Sequence, residues 1–109
     1  MENRNPLLEC KLKSAWAYAS IGDVDSTLQR LKEAKGYTSE LGTKVPRVTL
    51  KSIEETAYRN AVGPELMFAN TYAAIGNEGL TSYYLKRALR FAAKAGIEVP
   101  EDRLRAIKC

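Results

Sequence analysis

Four groups of residues in this chain have types and spacings that chemistry could use. They are the acids of "DVDS" at 23–26, the adjacent Glu54 and Glu55, the cysteines Cys10 and Cys109, and the basic residues between Tyr83 and Lys94. "DVDS" has the opening of a calcium loop. However, Leu28 stands where such a loop needs glycine for its turn, and Ala34 where it needs a bidentate glutamate. Asp23 and Asp25 therefore read as the cap and first-turn acids of a helix. Glu54 and Glu55 point about 100° apart on a helix, so they do not face each other as a catalytic pair would. With no histidine in the chain, imidazole bases, His-centred triads and most zinc sites are excluded. Two cysteines are too few for a thiolate zinc site and read as free thiols, Cys109 mobile at the chain end and open to oxidation. Neither a phosphate-binding glycine loop nor a Gly-x-Ser-x-Gly elbow occurs. No catalytic residue, cofactor or metal ligand is assigned, and the chain reads as a non-enzyme.

What remains is recognition chemistry. From Gly79 to Ile97 there are four basic residues and no acid. On a helix, Tyr83, Arg87, Arg90 and Lys94 form one stripe with Lys86 beside it, opposite an apolar face of Thr81, Leu85, Ala88 and Ala92. A stripe of this kind is either a binding face or an ordinary solvated helix back.

The element that carries the stripe is one of a pair. Sliding the chain by 54 residues lays its second half on its first without a gap. Identities fall at Leu12/Leu66, Ala15/Ala69, Tyr18/Tyr72, Ala19/Ala73, Ile21/Ile75, Gly22/Gly76 and Thr27/Thr81. They continue through Leu31/Leu85, Lys32/Lys86, Ala34/Ala88, Gly42/Gly96, Val45/Val99, Pro46/Pro100, Leu50/Leu104 and Ile53/Ile107, against about two or three expected by chance. The matched positions are small, apolar or helix-punctuating, as in stacked packing units. They predict an all-α fold in which two tandem 54-residue repeats, about 7–63 and 64–109, stack as a short array of five or six helices in a single domain, 1–109.

Within each repeat, one helix ends at Gly22 or Gly76, and the next is capped by Asp23 or Asn77 and runs to Gly42 or Gly96. A third helix starts at Pro46 or Pro100, with Leu50, Ile53, Ala57 and Ala61 as its apolar face in the first copy. "VGP" at 62–64 is expected to end that helix and open the second repeat. Lys13 and Ser14 become Met67 and Phe68 in the second copy, which predicts a polar outer helix at the N-terminus and a counterpart covered on both flanks. The basic stripe becomes Gln29, Glu33, Gly36 and Glu40 in the first copy, so equivalent faces carry opposite charge.

The hairpins, with Tyr-x-x-x-Gly-Asp/Asn at their bends, resemble those of tetratricopeptide repeats over about 11–35 and 65–89. Tyr18, Gly22, Asp23, Thr27, Leu31 and Ala34, and their six counterparts, stand at that family's packing spacing. The resemblance implies that Trp16, whose counterpart is Asn70, faces a concave peptide-binding groove. There an indole would combine large apolar area with one donor. The alternative is that Trp16 lies under the third helix or the N-terminal arm.

Composition is ordinary for a globular chain, at 45% hydrophobic and 28% charged, with a net charge of +4 that permits but does not demand an acidic partner. The N-terminus has no signal-peptide pattern and the longest uncharged run is too short for a bilayer, so a cytoplasmic chain with no membrane contact is expected. The expected function is an interaction module that binds a protein partner or itself, through Trp16, Tyr83, Lys86, Arg87, Arg90 and Lys94 with Glu33 and Glu40 as the opposing face. The alternative is nucleic-acid binding through the basic helix 83–94 and the nearby Arg103, Arg105 and Lys108.

Overall fold

The computed structural model describes residues 6–42 and 45–107. Lys108, Cys109 and the side chain of Leu41 lie outside the described residues. The described residues form five α-helices, α1 (Pro6–Ser20), α2 (Val24–Leu41), α3 (Arg47–Ala74), α4 (Glu78–Ala95) and α5 (Glu101–Ala106), and no strand. It divides into two compact units, Met1–Ala57 and Tyr58–Cys109, with the division inside α3.

Local chemistry sets the helix ends. Gly22 and Gly76 adopt φ of 74° and 76°, a left-handed turn that a side chain would strain. The next residue caps the following helix in both units. Asp23 Oδ1 accepts the Ser26 N–H at 3.1 Å, and Asn77 Oδ1 accepts the Leu80 N–H at 3.0 Å. The helices after these caps begin and end 54 residues apart and close on Gly42 and Gly96, again left-handed. Four residues past each cap, a buried threonine (Thr27 or Thr81) donates its hydroxyl to the cap carbonyl at 2.7 Å. Both hydroxyls are thus satisfied in the apolar interior, which offsets the cost of burying them.

The core of the first unit is Ala15, Ala19, Val24, Leu31, Ala34, Ile53 and Ala57. Its alanines let α1 and α2 approach closely, while Leu31 and Ile53 supply the volume. The second unit buries Tyr58, Ala61, Val62, Leu66, Ala69, Ala73, Ala88, Phe91, Ala92 and Ala95.

Two expectations from the sequence are corrected. The "VGP" segment does not end a helix: α3 runs unbroken through Gly63 and Pro64. An internal proline costs about 3 kcal/mol, since it lacks an N–H and crowds the preceding turn. The helical path, however, keeps Ala61, Val62, Leu66 and Ala69 on one buried face. Burying Val62 and Leu66 alone contributes about 1.5–3 kcal/mol each, so the continuous helix wins. Nor are Met67 and Phe68 covered. They keep 70% and 49% of their surface exposed: Met67 sits at the rim of a hollow shared with α5, and Phe68 packs against Tyr84 with half of its surface left in solvent.

Candidate functional site: an aromatic and cationic face on the second hairpin

The α1–α2 and α3–α4 hairpins share a backbone plan but differ in the side chains on their flanks. In the first hairpin the flank is a polar network. Lys11 Nζ on α1 donates to Glu33 Oε1 on α2 at 3.3 Å, Arg30 Nη1 donates to the same carboxylate at 2.9 Å, and Gln29 Nε2 donates to Glu33 Oε2 at 3.1 Å. Gln29, then Lys11 and Arg30, hold Glu33 below the usual carboxylate range. Glu33 in turn, with a smaller contribution from Tyr18, raises Arg30. The Arg30 guanidinium also lies 5.8 Å from the Tyr18 ring centroid.

At the equivalent positions of the second hairpin the interhelical ion pair recurs with its charges exchanged. Glu65 stands where Lys11 does, and Arg87 where Glu33 does. Arg87 donates through Nε and Nη2 to the two Glu65 oxygens at 3.2 and 3.3 Å, a bidentate pair with only 24% and 12% of the side-chain surfaces exposed. Burial works against the Arg87 charge, but the Glu65 carboxylate and the Tyr83 hydroxyl outweigh it and hold Arg87 above its ordinary value.

Around this pair the second hairpin is aromatic. Tyr72 on α3 and Tyr84 on α4 lie face to face, with centroids 5.5 Å apart and planes at 2°. Phe68 meets Tyr84 at 5.2 Å, and Tyr83 meets it edge-on at 5.0 Å. Arg87 spans the Tyr83 and Phe91 rings at 5.7 and 5.0 Å, and Lys94 sits 5.4 Å from the Tyr58 ring, which itself contacts Phe91 at 5.4 Å. The first hairpin has Ser14, Gln29 and Arg30 where the second has Phe68, Tyr83 and Tyr84. Phe68 and Tyr83 remain about half exposed.

Tyr83 and Arg87 come together, the Arg87 Nη1 lying 3.4 Å from the Tyr83 hydroxyl. Arg87 nonetheless leaves the solvated stripe expected for it, since its length carries it across to α3. Lys86, Arg90 and Lys94 stay exposed along α4. Glu40 is exposed on α2, whereas Glu33 is engaged within its own hairpin. Trp16 on α1 keeps 41% of its surface exposed, so it is not a core residue. Its counterpart Asn70 lines a hollow of about 160 Å³ in the second unit with Leu66, Met67, Arg103, Ala106 and Ile107. A larger, open cleft of about 930 Å³ in the first unit is lined by Lys35, Thr38, Ser39, Arg47, Leu50 and Glu54, among others.

Sequence reasoning did not single out Glu65, Tyr72 or Tyr84 as surface-forming, and it read Phe68 as covered. The available signal was the contrast between copies at positions that are not fully buried, Ser14 against Phe68 and Arg30 against Tyr84. Among the described residues no cluster of His, Cys, Asp or Glu could hold a metal ion, no helix is long and apolar enough to cross a membrane, and Cys10 is an exposed free thiol. The chain matches no protein-family model, no curated protein and no solved structure.

Proposed function

We propose that this chain is a non-enzymatic helical-repeat interaction module that binds a protein partner, or a second copy of itself, through the aromatic and cationic face of α3 and α4. One observation carries the reading. The first hairpin has the same caps and the same second-helix length with Ser14, Gln29 and Arg30 where the second has Phe68, Tyr83 and Tyr84, so the hairpin plan itself does not call for rings at those positions. Half-exposed aromatics beside an ordered arginine are the residue types that dominate binding energy at protein interfaces. A second reading, nucleic-acid binding through residues 83–94, draws support from the absence of any acid between Gly79 and Ile97. Trp16 is a separate partner contact in this scheme, on the tetratricopeptide-like first hairpin.

The docking face is tested by placing a photo-crosslinking phenylalanine analogue at Tyr83, or at its counterpart Gln29, in the cells that express the chain. A discrete protein adduct is expected from position 83, absent from position 29 and abolished by Phe68→Ser. Equal adducts from both positions, or none from position 83, would remove the face from consideration.

A further inference from the structure

Resting on that docking face, we infer that its occupant is an acidic amphipathic α-helix of another protein, laid along α4 with carboxylates one turn apart. The charge pattern carries this. Arg87 is answered internally by Glu65, so it orders the surface and leaves Lys86, Arg90 and Lys94 to meet an incoming charge. These three stand at i, i+4 and i+8, a ridge inclined to the axis with a step of about 6 Å along it. Glutamates at four-residue steps on a second helix repeat at the same pitch, and ridges of that spacing are the ones helices interdigitate. Tyr83 borders the row, with Tyr84 and Phe68 beyond it, and these rings supply the apolar contact that ion pairs alone lack.

The same geometry disfavours two other occupants. A second copy has no complementary row. No segment of this chain carries acids at i, i+4 and i+8, and Glu33 and Glu40 are separated by Gly36, with Glu33 held by Lys11, Arg30 and Gln29. Single-stranded nucleic acid needs free ring faces for its bases to stack on. Here Tyr72 and Tyr84 each give one ring face to the other, and Arg87 and Lys94 each take one face of Tyr83 and Tyr58, so fewer faces are left for bases.

The test uses the full chain and an 18-residue synthetic peptide, helical, with glutamate at every fourth position and leucine on the adjoining face, titrated by fluorescence anisotropy. Binding is expected at least tenfold tighter than for the same peptide with lysine replacing glutamate. It should weaken at least tenfold in the Lys86→Glu/Arg90→Glu/Lys94→Glu variant and measurably in Arg90→Glu alone. The lysine peptide should gain what the glutamate peptide loses on the triple variant. Phe68→Ser should weaken both pairings. Equal affinity for the two peptides would overturn the acidic partner, and undiminished binding of a proline-interrupted glutamate peptide would overturn the helix. Tighter binding of a mixed-sequence 12-nucleotide RNA, or a dimer by light scattering that charge reversal dissolves, would replace the inference with nucleic acid or self-association. The peptide and dimer results leave a protein adduct at position 83 intact and RNA binding would make it a nucleic-acid adduct, whereas loss of any adduct removes the docking face itself.

Discussion

The α1–α2 and α3–α4 hairpins have the same caps, the same left-handed glycines and the same interhelical ion-pair position, yet they carry their stability and their surfaces differently. In the first, Leu31 is 1% exposed and the flank is a hydrogen-bonded polar network. In the second, the equivalent Leu85 is only half-buried, and apolar weight has moved outward to Phe68, Tyr72, Tyr83 and Tyr84. The backbone tolerates both because its helix ends depend on local caps that the flanking side chains do not touch. A surface can therefore change from polar to aromatic while the caps and helix bounds stay the same.

Leucine truncation gives the largest expected effect and tests this contrast most directly. Leu31→Ala should cost about 2–5 kcal/mol in chemical denaturation, and Leu85→Ala about 1–2, since less area leaves water at that site. Equal losses would mean that the two cores are built alike and that the outward shift of apolar weight is illusory.

The exchanged ion pairs sharpen the comparison on a smaller scale. Glu65→Lys places a second cation against Arg87 and should cost about 1–2 kcal/mol. Adding Arg87→Glu rebuilds the Lys11–Glu33 arrangement in the second hairpin and should recover most of that loss, read as the coupling energy of a double-mutant cycle. A double variant no better than the single would show that the two flanks are not interchangeable.

The smallest effect is a pH dependence confined to the first hairpin. Gln29, Lys11 and Arg30 hold the folded Glu33 carboxyl below its unfolded value of about 4.3. Its contribution is therefore fully present above that value and is lost as pH falls through the lower folded one. The stability difference between wild type and Glu33→Gln should stay flat from neutral pH to about 5 and shrink below about 4.3. A difference that grows on acidification would contradict the network.

How much of this was legible in the sequence follows from the range of the forces involved. The all-α class, the glycine stops at 22, 42, 76 and 96, and the Asp23 and Asn77 caps were readable because each depends on residues within one turn. The buried faces Ala15/Ala19 and Leu31/Ala34 were readable because helical periodicity fixes which side chains share a side. Tertiary structure decided the rest. Pro64 sits within a continuous α3 because burial on both sides outweighs a local breaker, a balance invisible in the three residues themselves. Glu65 and Arg87 meet across 22 residues of chain, as do Lys11 and Glu33, so a stripe that reads as solvated on one helix is partly consumed by its neighbour. Periodicity states where a side chain leaves its own helix. What lies opposite is fixed only when the second helix packs, and that is why the aromatic face on α3 and α4 emerged from the structure.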